Sequence, residues 1–595
     1  MKRFAFLLTV FAAFQLFAGL SNLTGTYRNG QVFLLWDESK IPANSKFSVW
    51  SSSKPITKEN IGQADRVAHL IHPRSAYDWW KNKNAFIVAR SKQAKDEEIF
   101  AGAVADLDTK NGTVTGFVIS DKGTPISPNG GLHVHTPGKN QTGLRYFAVT
   151  RHDGINEAVL DFVTMKNPVK VGVGKVNIIR MSGNITRKQT NGRALIVDLH
   201  GRGGGVGIDN KGRPRGNHII FTDSTLGWRE GLPLKFDIYV AGGVVRLNLN
   251  DRIWTGRKID RSESPDSRDR VPAINTFWLG YNKNIAINNN KSGYNWDNYT
   301  ERLILYIINW MHEELGIDKN RVYLYGGSMG GSAAVQLATH FPNVFAAAYA
   351  YVPIYSFTWA RMPKYPKLQP SMARLQCAIG MFSDKDSVKM PNGTELRDYA
   401  NGTLNIAKTA VDMPPIFATN GRRDMSIPWI NNPPFYKAAN DARQAFAVHW
   451  NNGAHTMTKE VPPIITIPEL LRYRLNQSFP AFSNSTDNKN YGNGDPEDGD
   501  LIGWINRGMK WDNIVDTPDR FEMSLTASHP DMKYPVTCDV TFRRRQQFKF
   551  PAGTKIAVEI NGKKQETVID QNGLLTVEKV IFPDAKPVKI VLKKK

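Results

Sequence analysis

The stretch RVYLYGGSMGGSAAVQLATHF, Arg321 to Phe341, leaves this chain few choices. An apolar run, a glycine-dense turn and a small-residue helical pattern follow without a break, so strand, tight turn and helix are predicted in that order. Gly326, Gly327, Gly330 and Gly331 surround Ser328, and each adds chain entropy that folding must overcome. A turn too tight for side chains accounts for the glycines and leaves Ser328 as the group it presents. Gly326 to Gly330 also fit the pattern G-x-S-x-G. With a strand before it and a helix after it, such a turn lifts a serine hydroxyl above the edge of a parallel sheet. Ser328 is therefore the candidate nucleophile.

A serine hydroxyl is a weak nucleophile until a base takes its proton, and the base needs a carboxylate to fix its tautomer. Downstream, the strand PPIFATNG is followed by Arg422, Arg423 and Asp424, which puts Asp424 at the carboxyl edge of a strand, where α/β sites form. The next strand, FAVHW, leads into NNGAH and places His455 on a loop. Two competitors fit less well: His449 falls inside that strand and reads as packed core, and Asp412 precedes its strand at the wrong end. The tetrahedral oxyanion needs backbone donors. One is the amide of Met329, just after the nucleophile. The other is the amide of Arg202 or Gly203 in LHGRGGG, which follows the buried run ALIVD; both remain open.

LHGRGGG, GGSMGG, NGRRD and NGAH, in that order, resemble the α/β-hydrolase superfamily, and within it secreted esterases and prolyl-oligopeptidase-like enzymes. The resemblance runs from about Val171 to Tyr473. It implies a Ser328–His455–Asp424 triad on a doubly wound, mostly parallel sheet, with no cofactor and no metal. About 125 residues separate the oxyanion motif from Ser328, so residues 206–299 are expected to be an insertion. That segment is rich in aromatic residues, and flat rings with polar edges suit sugars. Trp278, Tyr281 and Trp296 are thus the candidate substrate-binding residues. No propeller repeat of the kind oligopeptidases often carry is visible upstream.

The remainder divides by texture. MKRFAFLLTVFAAFQLFAGLS has a charged start, an apolar run from Phe4 to Phe17 and small residues after it, so residues 1–20 read as a signal peptide. Secretion or a periplasmic location is expected, with no membrane span left after its removal. Residues 21–165 read as a β-sandwich resembling fibronectin type III, with Trp36 in the core, a late strand from Tyr146 and an insertion over about Arg66 to Lys139. The catalytic α/β domain is expected over 171–475, a polar linker over 478–505 and a small C-terminal β-domain over 506–595. The Asp and Asn residues of that linker miss the spacing of a helix-loop-helix calcium site. Two cysteines, Cys377 and Cys538, are too few to frame the fold with disulfides. The formal charge of +23 favours polyanions; in an exported protein an acidic glycan is a better candidate than nucleic acid.

The expected function is therefore hydrolysis of carboxylic esters on a decorated polysaccharide or a small ester. A prolyl-oligopeptidase-type peptidase is the rival with the same catalytic residues, and a non-catalytic carbohydrate-binding protein is the rival from another class.

Overall fold

A computed structural model describes residues 19–595, apart from 77–118, 203–216, 221–233, 255–272, 283–295, 380–387, 456–463 and shorter gaps. Nearly all described residues fall into two compact units that divide between Asn177 and Ile178.

In the first unit, Gly19–Arg28, Gln31–Ser39 and Gly131–His135 form one sheet. Asp65–Ile71, Ser45–Ser52, Gly143–Asp153 and Asn156–Thr164 form another, with Val169–Val171 paired to Gly143–Asp153. Their inward residues share one core, in which Trp36 meets Phe47 edge-on at 5.8 Å. The first strand starts at Gly19, and Leu20 is buried in the core, so structure begins before the expected end of the signal segment. Val171 belongs to this unit, because its strand pairs with Gly143–Asp153 rather than with the catalytic sheet. The ends of the expected Arg66–Lys139 insertion supply two strands, and its middle lies outside the described residues.

The second unit is built on a ten-stranded sheet. In chain order its strands are β1 Asn177–Arg180, β2 Leu195–Leu199, β3 Asn217–Ile220, β4 Leu234–Ala241, β5 Val244–Leu249, β6 Val322–Gly327, β7 Ala347–Tyr351, β8 Ile416–Gly421, β9 Phe446–Asn451 and β10 Gly503–Ile505. Across the sheet they run β10-β9-β8-β7-β6-β2-β5-β4-β3-β1. From β5 to β9 every pairing is parallel. Such strands are buried on both faces, and that is why they read as continuous apolar runs. This is an α/β-hydrolase-type fold. Helices α1 Tyr299–Trp310, α2 Met329–His340 and α3 Asn432–Asp441 belong to the same unit.

Two expected boundaries need correction. Residues 206–299 are not simply inserted beside the sheet, because they contribute β3, β4 and β5, and β5 pairs in parallel with β2. Nor are residues 478–505 a linker. Phe479–Ser483 pairs with Val536–Arg543 in the C-terminal β-structure, while Gly503–Ile505 is β10, antiparallel to β9. The polar stretch between them is an excursion from one sheet to the other. The C-terminal β-structure has a three-stranded and a five-stranded sheet over a core that includes Phe521, Phe542, Val558 and Leu592. Cys538 lies in it as a free, buried thiol.

Arg543 and Arg544 fasten that β-structure to the helices. Arg543 donates to the carbonyls of Thr409, Ala442 and Arg443 and pairs with Asp412 at 3.3 Å. Arg544 donates to those of Pro342, Phe345 and Ala346. Ala442 ends α3 and Pro342 lies just past α2, so both cations sit where helix carbonyls are left over and the helix dipole is negative.

Candidate active site

Ser328 sits between β6 and α2 with φ 57° and ψ −120°, a conformation that non-glycine residues seldom adopt and that persists only where its surroundings enforce it. The enforcement is close backbone packing. A Cβ on Gly330 would lie 1.9 Å from the Leu199 carbonyl oxygen, and one on Gly326 would lie 2.3 Å from that of Gly330. The Ser328 amide donates to the Tyr351 carbonyl at 2.8 Å, fixing the turn to β7.

Asp424 follows β8 and His455 follows β9, on neighbouring parallel strands. Their loops are knit together: the amides of Arg422 and Arg423 donate to the carbonyls of Asn451 and Gly453, both at 2.9 Å. The three side chains then form one line. His455 Nδ1 is 2.7 Å from Asp424 Oδ2, and His455 Nε2 is 2.8 Å from Ser328 Oγ. Asp424 is buried, and its Oδ1 accepts from the amides of Ser426 and Ile427 at 2.7 and 2.8 Å. The carboxylate therefore has no freedom to turn away, while one third of the His455 side chain stays exposed. His449 is in β9 as expected, and burial together with the charge of Arg507 pushes it down to about 4. Asp412 pairs with Arg543, remote in role from this line.

Met329 opens α2, whose first-turn amides have no acceptors within the helix. The loop after β2 lies against Ser328, since a Cβ on Gly201 would stand 3.6 Å from Ser328 Cβ. Arg202 is on that loop with its guanidinium 5.6 Å above the Phe277 ring; Gly203 lies outside the described residues. His200 anchors the loop from below: its Nδ1 donates to the Gly201 carbonyl at 2.8 Å and its Nε2 accepts from the Asp251 amide at 2.9 Å.

Trp278, Tyr281 and Trp296 do not offer stacking faces. They are 1%, 4% and 1% exposed. Trp278 packs on His200 at 4.8 Å and donates its indole N–H to the His200 carbonyl, so it supports the loop after β2. Tyr281 packs on Tyr299 and Trp296 on Tyr399. A large apolar ring gains most by burial, and aromatic content alone does not tell a stacking platform from a core. Asp251 was not evident from sequence. Its buried carboxylate accepts from Thr276 and from the amides of Phe277 and Trp278, holding two residues at φ 52° and 64°. Burial pushes this carboxyl up to about 7.

Among the described residues no group of three or more metal-ligating side chains occurs, and no helix is long and apolar enough to cross a membrane. Residues 293–455, which contain Ser328, Asp424 and His455, match the Prolyl oligopeptidase family. The catalytic half is of the serine hydrolase class. No curated protein matches the sequence. Similar solved structures include an S-formylglutathione hydrolase from Agrobacterium tumefaciens (14% identity, 53% of this chain and 90% of that one, TM-score 0.29). They also include an acylaminoacyl peptidase from Pyrococcus horikoshii (12%, 53% and 36%, TM-score 0.26) and esterase 2 of Thermogutta terrifontis (16%, 47% and 79%, TM-score 0.25). These scores are low, and the fold of the serine hydrolase half rests on its strand order, its elbow and the family segment.

Proposed function

We propose that the protein is an exported carboxylic ester hydrolase acting by a Ser328–His455–Asp424 triad. The observation that carries this reading is the hydrogen-bonded line at a strained elbow, with the oxyanion loop against the same serine. Ser328 Oγ attacks the ester carbonyl carbon while His455 Nε2 takes its proton, and Asp424 holds Nδ1–H and stabilises the imidazolium. The oxyanion is met by the Met329 amide and by that of Arg202 or Gly203. His455 then protonates the leaving alcohol, and water deacylates the serine by the same steps in reverse.

Support for a polysaccharide as the carrier of the ester comes from the flanking β-structures and the charge of +23, not from the buried aromatics. An acidic glycan fits that charge, and the apolar segment Phe4 to Phe17 supports export. The two sheets of the N-terminal unit, one with strands flanking Gln31–Ser39 and the other centred on Ser45–Ser52 and Gly143–Asp153, fit a fibronectin type III reading. A peptidase is the second reading, favoured by the family match over 293–455. A panel of nitrophenyl acetate, feruloyl esters and prolyl anilides separates the two. Preferential cleavage of the anilides would replace ester hydrolysis by peptidase activity.

A further inference from the structure

The excursion between the C-terminal β-structure and β10 is rich in Asp, Asn and Gly, as in NKNYGNGDPEDGD, Asn488 to Asp500. Its acidic and amide side chains are turned back on its own backbone. Asp500 accepts from the Asn490 amide at 2.8 Å, Asp498 from that of Asn493 at 2.8 Å, Asn493 from that of Asp495 and Asp495 from that of Glu497, each at 2.9 Å. With the amides satisfied in this way, the carbonyls are left pointing inward.

One cation meets them. The Arg422 guanidinium donates to five carbonyl oxygens: Pro496 from Nε at 2.9 Å, Tyr491 and Asp500 from Nη1 at 3.5 and 3.0 Å, and Asp495 and Asp498 from Nη2, the first at 3.1 Å. Its Cζ lies 4.8 Å from the centre of the Trp429 ring, and the residue is wholly buried. Every donor of a guanidinium has a fixed direction, so a planar fork held at five points leaves its own backbone little play. That backbone is two residues from Asp424. The excursion also accepts from the Trp429 indole through Tyr491 and from the Trp450 indole, in the strand that leads to His455, through Asp500. Beside the cage, Arg423 pairs with Glu497 at 3.0 Å.

We propose that Arg422 is a positioning residue for the triad, and that residues 488–500 are a latch which closes around it and fixes the Asp424 and His455 loops in register. The inference rests on the serine hydrolase reading above. A neutral or misshapen group at position 422 leaves the carbonyls short of donors, the acid loop gains freedom, and the line from Asp424 to Ser328 loosens. Misplacement on the order of 1 Å costs a triad up to about 10²-fold in turnover, while a substrate bound elsewhere in the cleft is held as before.

The test compares two buried arginines caged by carbonyls, in the full chain. Arg422→Gln is expected to lower kcat on nitrophenyl acetate by about 10- to 100-fold with KM unchanged, and Arg422→Lys, which keeps the charge but not the fork, to recover part of it. Arg543→Gln, which loosens the other cage, should lower the melting temperature and leave kcat at the wild-type value. If Arg422→Gln behaves like Arg543→Gln, less stable but with wild-type kcat, Arg422 is a structural staple and the proposal is overturned. Where substitution of Arg422 prevents folding, Asp498→Ala loosens the cage from its exposed side, and wild-type kcat in that variant overturns the proposal equally. Fluorophosphonate labelling of wild-type Ser328 keeps the two levels apart. A wild-type chain that takes no label refutes the serine hydrolase reading and the latch with it; a labelled wild type with fully active latch variants refutes the latch alone.

Discussion

At residue scale the sharpest test is the elbow. Ser328→Ala removes one half-buried hydroxyl from a turn whose shape is set by glycines and backbone contacts, so the fold should persist while ester turnover falls by about six orders of magnitude. Purified variant retaining more than about a tenth of wild-type turnover would rule Ser328 out. Asp424→Asn keeps the shape but favours the wrong imidazole tautomer, and turnover should drop roughly 10⁴-fold in steady-state assays. Asp251 carries a pH signature. Its folded pKa, about 7, lies above the ordinary 3.8, so its contribution to stability is complete below about pH 4 and is lost as pH rises to about 7. Urea unfolding of wild type against Asp251→Asn across that window should show the wild type losing ground as pH rises; a constant difference would show that Asp251 does not titrate there. The three residues chosen from chain order do meet in one hydrogen-bonded line, because elbow, acid and histidine each follow a strand with a strong local signal. Trp278, Tyr281 and Trp296 did not read correctly, since burial depends on partners such as His200 and Tyr399 that lie up to about a hundred residues away.

At the scale of elements, the parallel strands β2 and β6 to β9 were legible as apolar runs, while β5 and the strands beyond it were not. β3 and β4 lie in a stretch whose nearest motif is LHGRGGG, and nothing local distinguishes an inserted hairpin from strands that extend the sheet. Arg543 to Arg545 put three positive charges side by side in the sequence, yet the first two side chains are buried on helix-end carbonyls. Sequence shows charge but not the acceptors left over at a distant helix terminus. Arg544→Gln should leave buried carbonyls without donors and cost on the order of 3 kcal/mol. A denaturant midpoint within error of wild type would show that this fastening is dispensable. Asp412→Asn, at the exposed edge of the neighbouring cage, should cost about 1 kcal/mol or less and spare turnover.

For the whole molecule the net charge of +23 is the property most open to test. If it draws the enzyme to an acidic glycan, binding to a uronate-rich polysaccharide should weaken between about 0.1 M and 1 M salt, as the Debye length shrinks from about 10 Å to about 3 Å. Binding to a neutral polysaccharide and kcat/KM on nitrophenyl acetate should change little. Equal salt dependence for both glycans would assign the charge to solubility. The crossing of the chain at β10 has a further consequence, for synthesis. Ribosomes deliver a polypeptide from its amino end, and Ser328, Asp424 and His455 are all made before the segment that cages Arg422 and the strand that edges β9. A nascent chain paused short of about residue 500 would thus carry Ser328, Asp424 and His455 without the cage around Arg422 or β10, and on the proposal above it would gain hydrolytic activity only once those residues have been added.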